Sequence, residues 1–138
     1  MVQQKKQIRF IPQILIGIVF VLNIQAGILF FLNPDQYAPA YELSGIPGNV
    51  AIAGTGLLFL MWSVPYAFAL YNPYKHHSSL IQAVIMQAIG VGGESLILSR
   101  IPLGSHLLLR QNIWRFIIFD GIGLLLLVLA LYFVKRKI

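Results

Sequence analysis

Two carboxylic acids lie inside long apolar runs. Glu94 falls in a run from about residue 78 to 98, and Asp120 in one from about 113 to 134. A charge at the centre of a bilayer costs roughly 2.5–3.5 kcal/mol on insertion scales. Such an acid is therefore protonated, paired with a cation, or kept for a proton, a cation or a polar headgroup. Other polar residues fall at a matching depth. Counted from the cytoplasmic end of each run, Glu94 is about 16 residues along from Ser78, Asp120 about 14 from Val134, Gln25 about 15 from Phe10 and Thr55 about 16 from Tyr71. With a helical rise of about 1.5 Å per residue these positions lie within roughly 3 Å of one another in depth. Gln87 lies seven residues before Glu94 and shares its helix face. Asn23 and Gln25 are about 200° apart on a helix, so at most one of them faces the layer squarely. The spacing predicts one polar layer in the outer half of the membrane. Its candidate ligand- or ion-binding residues are Glu94, Asp120, Gln87, Gln25 and Thr55, with Arg100 and Arg110 as cations that can fold back onto Glu94. The alternative is structural: buried polar groups bond between helices for about 0.6–2 kcal/mol each.

The elements that must position these residues are membrane spans. The chain has 138 residues, of which 58% are hydrophobic and only 10% charged, whereas soluble domains carry roughly 25% charged residues. The first charge-free run, residues 10–32, covers roughly 34 Å as a helix, enough for a hydrocarbon core of about 30 Å. It is too long for a cleaved signal sequence, whose apolar region is about 7–15 residues, and reads as an uncleaved span. The others are about 49–71, 78–98 and 113–134. Asn33-Pro34 and Asn72-Pro73 end the first two, because proline has no amide proton for the helix ladder. Tyr37 and Tyr41, four residues apart, suit a short helix lying at headgroup level. Leu107-Leu108-Leu109 suggests a second surface-lying stretch. Seven basic residues (Lys5, Lys6, Arg9, Lys75, Lys135, Arg136 and Lys137) fall on one side and three (Arg100, Arg110 and Arg115) on the other. This bias favours both termini inside. The third run, with Ala88, Gly90, Gly92 and Gly93, is the expected central helix, since small residues let backbones approach. Leu124–Leu129 of the fourth run are expected to face lipid.

Several chemistries are excluded or left with little support. With no cysteine there is no disulfide, thiolate metal site or thiol nucleophile. The net charge of +6 comes from helix-end anchors rather than a nucleic-acid surface. His76-His77 reads as a solvated loop, since no carboxylate stands nearby in sequence to complete a metal site. Gly54-Thr55-Gly56 and Gly90-Val91-Gly92-Gly93 lack the Lys-Ser/Thr of a phosphate loop. Trp62, Pro65 and Tyr66 suggest aromatic packing beside a kink rather than a pocket. No nucleophile–base arrangement, metal site or cofactor motif is present, which makes an enzyme the least favoured class.

Leu32-Asn33-Pro34, the amphipathic connection after it, and Gly54-Thr55-Gly56-Leu57-Leu58 give residues 10 to 70 a plan that resembles the DoxX-like group of small bacterial four-helix membrane proteins. Some members of that group are associated with quinone-linked oxidoreductase complexes; no redox motif here matches to carry that across. The expected fold is a single all-α domain over residues 1–138: a transmembrane four-helix bundle, N-in and C-in, with short interfacial helices on the outer side. It is expected in the plasma (inner) membrane, with the lipid bilayer, and membrane proteins or further copies of itself, as partners. The expected function is that of a non-catalytic accessory, assembly or lipid-interacting component. The alternative is a small carrier or an ion- or ligand-binding protein using the Glu94/Asp120 layer. A cavity opening onto that layer would favour the alternative.

Overall fold

The computed structural model describes residues 2–136, with side chains from Phe10 to Arg136. The basic residues Lys5, Lys6 and Arg9 precede the first described side chain, and Lys137 lies outside the described residues. The chain forms α1 (Val2–Leu32), α2 (Pro34–Tyr37), a 3-10 turn (Ala38–Tyr41), α3 (Gly45–Tyr71), α4 (His77–Arg100) and α5 (Leu107–Lys135). Four of these, α1 from Phe10 onward, α3, α4 and α5, are long and apolar enough to cross a membrane. They form a closed ring in which α1 packs on α3 and α5, and α4 on α5 and α3. Consecutive spans are therefore neighbours, as short connections require.

Element ends follow local chemistry. Asn72 Oδ1 accepts from the backbone amides of Tyr74 (3.2 Å) and Lys75 (3.0 Å), folding the chain over Pro73 between α3 and α4. At the other end of the bundle α3 begins at Gly45, through Ile46-Pro47-Gly48, earlier than the sequence suggests. Proline is tolerated in a first helical turn, where its missing amide proton has no partner to lose. The leucines 107–109 likewise belong to the first turn of α5, not to a separate surface stretch. The two connections at this end are clasped by a hydrogen bond between the Glu42 carboxylate and His106 Nδ1. Both residues have left-handed backbone, at φ 57° and 51°.

Packing divides the bundle into layers. Near the short α3–α4 connection, all four spans supply one core: Ile16 and Val19, Tyr66 and Ala69, Leu80 and Ala83, and Leu127, Ala130 and Val134. At the opposite end Phe30 is ringed by Tyr37 (4.8 Å between centroids), Tyr41 (6.1 Å), Phe59 (6.1 Å) and Phe116 (6.1 Å). The two tyrosines expected at headgroup level thus turn their rings onto the end of the bundle. Polar residues and open space lie between the two clusters.

Two expectations about packing are corrected. The third span is not the central helix: α1 is the most buried span and α4 the least. Backbones meet instead at Gly27 of α1 and Gly56 of α3, where a Cβ on Gly56 would lie 2.7 Å from Gly27 O. Gly92 and Gly93 are exposed, and a Cβ on either would meet nothing within 4 Å. Nor is the leucine run of α5 wholly outward. Leu127 is fully buried, in register with Gly123, Ala130 and Val134, while Leu125, Val128 and Leu129 face out.

Candidate functional site

The polar residues between the clusters form a chain across three helices. Tyr66 Oη on α3 donates to Gln87 Oε1 on α4 at 2.6 Å. Gln87 Nε2 donates to Asp120 Oδ1 on α5 at 2.8 Å and lies 3.3 Å from the Asp120 carbonyl oxygen. Gln87 is 4% exposed and Tyr66 2%, so both amide and hydroxyl need these partners to offset lost hydration.

Two glycines make the chain possible. A Cβ on Gly123 would stand 2.7 Å from Gln87 Nε2, and a Cβ on Gly90 would collide with the Asp120 carboxyl. The antiparallel helices α4 and α5 carry the same pattern, a polar residue with glycine three positions later: Gln87 with Gly90, and Asp120 with Gly123. Each polar side chain lies over the other helix's glycine.

Beside this chain lies a cavity of about 390 Å³. Its mouth is between α3 and α4: Phe59 and Trp62 form one wall, and Met86, Ile89, Gly93 and Ile97 the other. Asn23 of α1, Gln87 and Asp120 close its base, and Glu94 and Gly90 also line it. Gly93 of α4, around which a Cβ would meet nothing within 4 Å, leaves part of this space open, while Gly90 is covered by the Asp120 carboxyl. Residues 86 to 97 of α4 extend over about 16 Å at helical rise, so the site is elongated along the bundle axis. Trp62 and Ile89 are exposed at 48% and 67%, so the mouth opens on the side of the bundle rather than at its end. A mostly apolar cleft of this size with a few convergent polar groups matches the general form of a small-molecule site. Glu94 is half-buried, and its Oε2 is enclosed with no hydrogen-bond partner among the described residues.

The expected layer is therefore partly assembled. Glu94, Asp120 and Gln87 come together. Gln25 does not join them; it is exposed in a groove on the outer face of α1 among Val21, Ile24 and Ile28, and Asn23 faces inward instead. Thr55 bonds back to the Ala51 carbonyl at 2.9 Å on its own helix and does not line the cavity. From α3 the contributor is Tyr66, which with Trp62 lines the cavity rather than only packing beside Pro65. Neither arginine folds onto Glu94. Arg110 Nη1 donates to the carbonyls of Ile101 (2.7 Å) and Leu98 (3.4 Å), satisfying the end of α4, and Arg100 is exposed.

At the end of the bundle nearest Glu94, the Tyr41 hydroxyl is pushed up to about 12. Burial disfavours the phenolate, a hydrogen bond with Asn112 opposes this, and the Glu94 carboxyl adds to the rise. Tyr41 thus closes the bundle as a neutral group. His76 lies against Phe68 (5.7 Å between centroids) and Tyr71 (6.4 Å) with its ring tilted to both, and no cluster of metal-ligating side chains occurs among the described residues. Compared with known proteins, the chain matches no family model, no curated protein and no solved structure.

Proposed function

We propose that this chain is a small ligand-binding membrane protein that takes an amphiphilic molecule from the bilayer into the cavity between α3 and α4. The observation that carries this reading is the open side of the cavity, with a polar base reached from an apolar mouth. A purely structural layer would be closed over its own hydrogen bonds. Retention is its test. Protein purified in mild detergent should carry a bound amphiphile in near-equimolar amount. Gly93→Phe, which puts a ring into the cavity space, should carry none. An empty wild-type protein would count against the reading.

The location we propose is the plasma (inner) membrane, with both termini inside. The basic bias supports this, and Arg110 gives one of the three opposing arginines a structural reason to be there. Since the chain has no cysteine, Ser105→Cys is a clean reporter. It should react with a membrane-impermeant maleimide in intact cells; reaction only after lysis would reverse the orientation.

A second reading, as an accessory component of a membrane assembly, is favoured by Ala88, Gly92 and Ser95. These small residues form an exposed face of α4 suited to another helix. Gly92→Phe blocks that face and leaves the cavity intact. Loss of function with the amphiphile still bound would select the second reading.

A further inference from the structure

The cavity's hydrogen-bonding capacity identifies the class of molecule it takes. The Tyr66 and Gln87 donors at its base are already used. The single Tyr66 hydroxyl proton goes to Gln87 Oε1, and the Gln87 amide nitrogen is turned wholly onto Asp120. Asn23, buried beside them, lines the base as well. Acceptors remain. Asp120 has its second carboxyl oxygen, which lies over Gly90, and Glu94 Oε2 accepts from no described residue. Ionised, these two carboxyls only accept, and a headgroup that bonds them both donates protons.

Charge points the same way. Two carboxyls line the cavity, and among the described residues no lysine, arginine or histidine does. Arg110 is held by the end of α4, and Arg100 is exposed. An anionic headgroup would meet only acids in a medium of low dielectric, where like charges repel strongly. A cation supplies the charge that the chain withholds. The walls suit its remaining parts. Trp62 and Phe59, with ring centroids 5.9 Å apart, offer aromatic faces to a cation. Met86, Ile89 and Ile97 offer apolar contact to a hydrocarbon portion.

We infer that the ligand is a lipophilic ammonium, whose N–H groups bond Glu94 and Asp120 while its hydrocarbon part lies along α4 toward Ile97. This rests on the reading of the cavity as a ligand site. The test uses three probes with one chain and three headgroups: dodecylammonium, dodecanol and dodecyl phosphate. The chain has two tryptophans, and Trp114→Phe leaves Trp62 in the cavity wall as the only tryptophan, excited selectively over the tyrosines. In neutral detergent, dodecylammonium should change Trp62 fluorescence saturably, and the other two should bind at least tenfold more weakly. Gly93→Phe should abolish the response. Glu94→Gln should weaken it at least tenfold with helical content unchanged. If that variant loses its fold, Asp120→Asn carries the same expectation. Dodecanol or dodecyl phosphate binding as tightly as the ammonium would overturn the cation inference and leave the ligand site standing. No saturable response to any probe would overturn both.

Discussion

Gly56→Leu is expected to prevent the bundle from assembling. A Cβ at position 56 would stand 2.6 Å from Phe31 N, 2.7 Å from Gly27 O and 2.9 Å from Phe30 Cβ. The first two are backbone atoms of α1 and cannot rotate away, so α1 and α3 would have to separate. Overpacking of a well-packed interior typically costs about 1–3 kcal/mol, occasionally more. A clash against backbone, enlarged by the rest of a leucine, belongs at the upper end or beyond. This contact also holds α1, the most buried span, against its neighbour. Denaturation of purified protein in mixed detergent should show Gly56→Leu unfolded or strongly destabilised. Gly92→Leu, with open space around its Cβ, should unfold like wild type. A stable Gly56→Leu protein would mean that α1 and α3 do not meet at these glycines.

The second large effect is expected at Gln87. Gln87→Leu keeps the volume and removes both ends of the hydrogen-bonded chain. Tyr66 Oη loses its 2.6 Å partner, and Asp120 Oδ1 its 2.8 Å donor. Leaving a buried polar group unsatisfied costs about 1–3 kcal/mol. Two such groups lose a partner here, although Tyr66 Oη keeps the Ala83 carbonyl at 3.4 Å and averages measured inside membranes are smaller, about 0.6 kcal/mol per bond. The expected loss is therefore on the order of 1–3 kcal/mol. Gln82→Leu, at an exposed position of the same helix, should change stability by no more than about 0.5 kcal/mol. Comparable unfolding curves for the two variants would show that the chain from Tyr66 to Asp120 contributes nothing to stability.

The four spans were legible because lipid imposes a coarse rule: about 20 apolar residues per crossing, with proline and polar residues between. The meeting of Glu94, Gln87 and Asp120 was legible from depth and helical phase alone. Rotational choices between near neighbours were not. Nothing in the sequence decides whether Asn23 or Gln25 turns inward, since both are flanked by residues lipid accepts equally well. Thr55 illustrates a different ambiguity, because a threonine hydroxyl can satisfy itself on its own helix through the carbonyl four residues back. The glycines of α4 were misread for a related reason. Glycine in a membrane helix marks either close approach or open space, and only the neighbouring helix decides which. Gly56 is the first case, Gly93 the second, and Gly90 is filled by the side chain of Asp120. The repeated spacing, Gln87 with Gly90 and Asp120 with Gly123, was the available signal for a reciprocal α4–α5 contact. Trp62 and Tyr66 passed as packing because an aromatic pair beside a proline needs no further explanation until a cavity is seen against it.

The central claim is that the cavity between α3 and α4 holds a small amphiphile drawn from the membrane. The most direct measurement is the mass of the intact protein released from its own membranes, for wild type, Gly92→Phe and Gly93→Phe. Positions 92 and 93 are adjacent, exposed and free of steric conflict, but only Gly93 lines the cavity. The account predicts the same bound mass on wild type and Gly92→Phe, and bare protein for Gly93→Phe. Bare protein in all three, or equal retention by both variants, would contradict it.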